Sequence, residues 1–157
     1  MLRRRRAREV ALQVLYEDDL NPHIAPSVGE QFVRRRLRDP RLVAFALNLI
    51  AGVRRHAAEL DRLIEQTAAN WSLARMAVVD RNILRLGAYE MLYGHTPDRV
   101  VLDEAIELAK RYGTSHSAQF VNGILDRLLH KYAEKGEDSG ASGAATPACP
   151  PSEAPSG

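Results

Sequence analysis

Five arginines stand in the first eight residues: Arg3, Arg4, Arg5, Arg6 and Arg8. Guanidinium groups pair bidentately with phosphates and stack on bases, which is how arginine-rich segments hold RNA. Charge alone fits a solubilising chain end equally well. If four of these arginines meet single-stranded phosphates, log affinity falls with log salt at a slope of roughly −3. A second group, Arg34, Arg35, Arg36, Arg38 and Arg41, reads as the solvated face of a short helix paired with Glu30 and Asp39.

Catalytic and metal-binding constellations are hard to assemble. His23, His56, His95, His116 and His130 are scattered, none at the i, i+4 spacing of a helical metal pair, and read as surface or capping residues. Asp103, Glu104 and Glu107 occupy the first turns of an expected helix, where negative charge complements the macrodipole. There is no phosphate-cradling glycine loop and no nucleophile elbow. The expectation is a protein without enzymatic activity, cofactor or metal. Trp71 reads as a hydrophobic anchor at a helix junction more than as a stacking platform. Phe120 lies near the start of the last expected helix, where backbone N–H groups favour a phosphate and an aromatic edge can receive a base. A place in the core fits Phe120 as well.

The elements that carry these residues are helical. Apolar residues recur at 3/4 spacing in Ala7, Val10, Ala11 and Val14, in Leu42, Phe45, Leu49 and Val53, and again from Val101 to Leu108 and from Val121 to Leu128. Breakers at Asn21-Pro22, Asp39-Pro40, Asn70 to Ser72, Thr96-Pro97 and Tyr112-Gly113 separate the segments. The pattern predicts helices over 3–20, 27–38, 41–55, 57–69, 73–93, 98–112 and 116–132, with Ser72 and Ser115 or Ser117 as caps. Two positions depart from clean amphipathicity. Glu90 projects into the middle of the arc of Val79, Ile83 and Leu86, so it is either buried against a partner or facing another molecule. Leu12 and Tyr16 point off the main stripe of the first helix, toward the side of Arg5 and Arg8, as a protein contact beside an anion contact would.

Composition divides the chain. From Glu134 to Gly157, Gly, Pro, Ala and Ser fill 17 of 24 positions, and such a segment is expected to be a disordered tail. Lys135 against Glu134, Glu137, Asp138 and Glu153 leaves that tail at −3, so the formal +2 of the 157 residues conceals +5 on residues 1–133, expected to form one helical domain. One cysteine, Cys149, excludes a disulfide framework within the chain. No apolar run has membrane length, and a soluble cytoplasmic protein is expected.

The sequence resembles the NusB family of bacterial transcription antitermination factors. The resemblance is carried by Arg4-Arg5-Arg6-Ala7-Arg8-Glu9 with Leu15-Tyr16, by Val79-Asp80-Arg81-Asn82-Ile83-Leu84-Arg85-Leu86 through Tyr89-Glu90, by Asp103-Glu104-Ala105-Ile106-Glu107-Leu108-Ala109-Lys110, and by Phe120-Val121-Asn122-Gly123-Ile124-Leu125. It implies an all-helical fold of two three-helix groups packed across each other, with no enzymatic activity. It implies binding of boxA RNA together with NusE, a small-subunit ribosomal protein, within a complex that keeps RNA polymerase transcribing past terminators, including on ribosomal RNA operons. Carried over residue by residue, it assigns RNA contacts to Arg4, Arg5, Arg6, Arg8 and Phe120, and NusE contacts to Tyr16 and Asp80, beside Leu12. His116 stands where an acidic residue is frequent in the family, which favours RNA binding if that loop lies at the RNA surface. Two other readings fit the residues: a homodimeric or adaptor protein of the same fold, and an accessory domain related to RNA cytosine methyltransferases. The second lacks support in the residues after Tyr132, which offer nothing to bind a methyl donor.

Overall fold

A computed structural model describes residues 2–69 and 71–144, with side chains described over 3–69 and 71–132. Seven α-helices follow in chain order: α1 (Leu2–Leu20), α2 (Pro26–Arg36), α3 (Pro40–Arg55), α4 (Ala57–Ala68), α5 (Val78–Tyr93), α6 (Asp98–Tyr112) and α7 (Ser117–Ala144). No strand occurs among the described residues.

The local signals account for most of the boundaries. Pro26 and Pro40 stand at the first positions of α2 and α3, where a missing N–H costs no hydrogen bond. The Asp39 carboxylate caps α3 by accepting from the Arg41 N–H at 2.9 Å. The segment expected as one helix over 73–93 is split. Leu73–Arg75 forms a single 3₁₀ turn, Met76 and Ala77 are extended, and α5 starts at Val78. Ser72 makes no side-chain cap; the Leu73 N–H is instead accepted by the Glu65 carboxylate at 2.8 Å. Ser117 opens α7, and its buried hydroxyl accepts from the Thr114 N–H at 2.9 Å, tying down the loop before the helix.

The backbone of α7 runs past the expected end at 132 to Ala144, through residues such as Ala133, Glu134 and Lys135 that favour helix. The rest of the segment expected to be disordered, 145–157, lies outside the described residues.

Two groups of helices share the core. α1, α2 and α3 pack on one another, and α5, α6 and α7 form the second group, with α4 laid against α5 and α7. α1 and α3 both rest on α5, so α5 is the common wall. Its central residues Ile83 and Leu84 are fully buried, and so are Leu60, Ile64, Leu125 and Leu128 from the helices around it. Gly87 allows α7 its close approach, because a Cβ there would stand 2.8 Å from Leu125 Cδ1. No helix among the described residues is long and apolar enough to cross a membrane.

Candidate nucleic-acid and partner interface

The arginine segment forms the first turns of α1, and the fold divides its members. Arg3 and Arg4 are exposed; Arg3 lies 3.5 Å from Asp39, and the Arg4 guanidinium stands 4.6 Å from the centre of the Phe45 ring. Arg5 donates from Nε and Nη2 to the two carboxylate oxygens of Glu104 on α6, at 3.0 and 2.9 Å. Arg6 donates to Glu9, whose other oxygen accepts from Arg111 near the end of α6.

Arg8 corrects the expectation placed on it. It is 2 % exposed and donates from Nε and Nη2 to Glu90 at 2.7 and 2.8 Å, with the Phe45 ring 5.1 Å from its guanidinium. A side chain enclosed in this way cannot meet a phosphate; it joins α1 to the C-terminal end of α5. The same pair answers the question posed by Glu90, which is the buried partner of a cation rather than a surface acid.

Leu12 is a second correction. It is buried, because α2 folds over α1 and widens the covered stripe beyond the main apolar face. Leu12 and the partly buried Tyr16 line one groove of about 590 Å³ between α1 and α2. Val28, Phe32, Val79 and Tyr112 complete its apolar wall, and Val28 and Tyr112 are exposed large side chains. Asp80, next to Val79, is buried, and its Oδ1 has no hydrogen-bond partner among the described residues.

Phe120 is partly buried, and Trp71 meets it edge-on with ring centroids 5.9 Å apart. Trp71 is 50 % exposed, so the junction residue is a surface aromatic after all. The chain leaves α4 toward it through Ala69 at φ 60°, a left-handed conformation that costs an alanine energy. The aromatic pair sits on α7 and the α4–α5 connection, whereas the arginines lean on α3 and α6; no described contact joins the two clusters. His116, in the loop before α7, is exposed.

Sequence reasoning missed the partners of the arginines and the role of the Arg81-Asn82-Arg85 block. At the far end of α1 the Asp19 carboxylate accepts from Arg81 at 2.9 Å, Asn82 at 2.8 Å and Arg85 at 2.9 Å, and Arg85 also reaches Asp61 on α4 at 2.7 Å. Asn82 is almost fully buried at α5, and its place beside Ile83 and Leu84, on a helix that also carries Arg81 and Arg85, is the one signal that could have found this knot. The basic residues of α2 behave as expected: Arg34 pairs with Glu30 at 3.0 Å on an exposed face. Among the described residues no group of three or more His, Cys, Asp or Glu side chains could hold a metal.

Two carboxylates carry depressed pKa values. For Glu104 the hydrogen bonds from Arg5 are the main cause and outweigh burial, which acts the other way. For Asp19 burial acts upward most strongly, but the bonds from Arg81, Asn82 and Arg85 together exceed it and hold the carboxyl low. Groups lowered on folding stabilise the fold fully above their unfolded values, here the ordinary 3.8 and 4.5, and lose that contribution as pH falls through the folded values. A pH titration of helical circular dichroism is therefore expected to hold level at neutral pH and fall below about pH 4. Asp19→Asn should remove part of that dependence; an unchanged acid limb would show that Asp19 has no share in it.

The family model described as "NusB family" matches residues 5–130. The chain belongs to the NusB family. It is 44 % identical over 132 residues to the transcription antitermination protein NusB of Sorangium cellulosum, covering 83 % of this chain and 94 % of that protein. It is 46 % identical over 130 residues to that of Elusimicrobium minutum, covering 80 % and 91 %. Among solved structures it is similar to T. maritima NusB, with a TM-score of 0.75, 38 % identity, and 87 % and 96 % of the two chains covered. A chain in a crystal structure of the antitermination factors NusB and NusE in complex with dsRNA matches with a TM-score of 0.76 and 29 % identity, over 84 % and 99 % of the chains. The fold is thus shared with both solved structures, and Arg5, Arg6 and Arg8, the α1–α2 groove and the aromatic pair lie within the residues that the family model matches, whereas Arg3 and Arg4 precede them.

Proposed function

We propose that this NusB-family chain is a transcription antitermination factor that binds boxA-type RNA together with NusE and acts with the RNA polymerase antitermination complex in the cytoplasm, as a binding protein and not as a catalyst. One observation carries the reading. A single helix, α1, presents arginines to solvent at its start and two residues of an apolar groove, Leu12 and Tyr16, further along. The RNA contacts are Arg4 and Arg6, with Arg5 reaching out from its Glu104 pair and Phe120 with Trp71 offering aromatic edges to unstacked bases. The NusE contacts are Tyr16 and the groove around Leu12, with Asp80 at its edge beside Val79. Residues 1–133 are the binding domain.

The relatives share the name, and one of them was solved with NusE and double-stranded RNA. Single-stranded boxA and a duplex of the same sequence are therefore both measured, each with and without NusE. The expected result is binding to the single strand that tightens when NusE is present. No binding in any of these conditions would leave the adaptor reading in its place. Arg4→Ala with Arg6→Ala should weaken RNA binding roughly twenty-fold at about 0.1 M salt, as two lost phosphate contacts would. The affinity for NusE should stay as in the unmodified protein, and an equal loss of both would point to damage to α1.

A further inference from the structure

The arginine segment does not meet solvent as a row of bare charges. Arg8 is consumed inside by Glu90, and Arg5 is bound at both of its facing nitrogens by Glu104. Arg6 shares Glu9 with Arg111, and Arg3 leans toward Asp39. Among the described residues Arg4 is the one member of the five with no carboxylate beside it; its neighbour is an aromatic ring. The Arg5 pair is the most unusual of these. The Glu104 side chain is 5 % exposed while Arg5 keeps 28 %, so the acid is sealed beneath the base and cannot be reached by solvent cations.

That geometry separates two properties of an arginine that normally come together. A free guanidinium attracts any polyanion, because pairing with a phosphate releases counterions; each such pair adds about 0.7 to the salt slope on a single strand. A guanidinium already neutralised by a protein carboxylate contributes far less of that sequence-blind attraction. It still has N–H donors to offer, since only two of the five are engaged here. It is also held in one orientation, so little side-chain entropy is lost when an acceptor arrives.

We propose that Glu104 is a selectivity-setting residue: a built-in counterion that removes the indiscriminate charge of Arg5 while leaving its donors aimed at RNA. The inference rests on the RNA-binding reading above and adds a residue that macrodipole arguments assign only to helix stability. It also revises the salt dependence. With Arg8 enclosed and Arg5 neutralised, the slope for boxA RNA should lie nearer about −1 than the −3 expected of four free arginines.

The test compares Glu104→Gln, which keeps shape and removes charge, with Glu104→Asp, which keeps charge and shortens the reach. Affinities for boxA RNA and for a scrambled strand of equal length are measured against salt, and elution from immobilised heparin is recorded alongside. E104Q should steepen the slope by about 0.7 and tighten the scrambled strand roughly fivefold at about 0.1 M salt. BoxA should gain less, because the released Arg5 loses its fixed position. E104D should keep the unmodified slope. A slope equal in E104Q and the unmodified protein overturns the proposal, and so does an equal loss of affinity and melting temperature in both variants, which describes a staple. Should E104Q fail to fold, Arg5→Gln with Glu104→Gln decides: removing a neutral pair leaves the slope unchanged, whereas a slope shallower by about 0.7 shows that Arg5 had acted as a free charge. If the unmodified protein binds neither strand, the RNA reading itself falls. The heparin column then judges the charge claim alone, and elution of E104Q at the unmodified salt concentration overturns it.

Discussion

Glu90→Ala should destabilise the domain by about 3–5 kcal/mol, the scale on which removing one partner of a buried ion pair is felt. For a domain of this size that is a fall in melting temperature of roughly 10–20 °C, read by thermal circular dichroism. The loss falls on Arg8. Its guanidinium is 2 % exposed, both of its good hydrogen bonds go to Glu90, and its Nη1 already lacks a partner. Thr96 stands at 3.5 Å and cannot replace a carboxylate. Truncating Glu90 leaves a full charge stranded between α1, α3 and α5. The pair need not be stabilising in itself, since a buried ion pair replaced by apolar residues of similar volume is often neutral. Arg8→Met with Glu90→Leu should therefore recover most of what Glu90→Ala loses. That double variant should also bind RNA as the unmodified protein does, and a large loss of RNA affinity in a stable double variant would return Arg8 to the binding surface.

Tyr16→Ala should lower affinity for NusE by about 2 kcal/mol or more, roughly thirty-fold, while leaving the affinity for RNA alone unchanged. Aromatic residues set in apolar grooves are the usual anchors of protein interfaces, and Tyr16 lines the groove closed by Leu12, Phe32 and Val79. Titration calorimetry with purified NusE measures the effect, and an unchanged affinity would remove Tyr16 from the interface. Leu12 is the poorer probe. It is buried in the free protein, so its truncation lowers stability and binding together and the two cannot be read apart.

Most of the helices were legible because they carry an apolar stripe of helical period between strong breakers; α2, which buries only Val33, was marked mainly by its flanking prolines. Asp39-Pro40, Thr96-Pro97 and Gly113 stand at observed boundaries. The 3₁₀ turn was not legible, since Leu73 and Met76 continue the helical spacing while the acceptor that reshapes their turn, Glu65, belongs to the preceding helix. The site was legible in its residue types and not in their pairing. Periodicity tells which face Glu90 or Glu104 occupies on its own helix, but not which residue of another helix stands opposite. The clue at Glu90 was a carboxylate in the centre of an apolar arc. Glu104 gave no such clue, because an acid in the early turns of a helix has a sufficient local explanation. The outward placement of Leu12 failed for a related reason: a helical wheel cannot know that α2 folds across it.

The pairs that settle the arginines are remote along the chain. Arg8 and Glu90 are 82 residues apart, Arg5 and Glu104 are 99, and Glu9 and Arg111 are 102. During synthesis α1 is made before α5 and α6, so neither Glu90 nor Glu104 exists when its arginines emerge, and Glu9, made with them, still lacks Arg111. The first turns of nascent α1 thus hold Arg5 and Arg8 without their counterions while they stand next to ribosomal RNA. Closing the domain requires α5 and α6 to compete that polyanion away, and each long-range closure adds loop entropy to the barrier. Refolding should accordingly be slower than the local contacts of an all-helical protein would suggest.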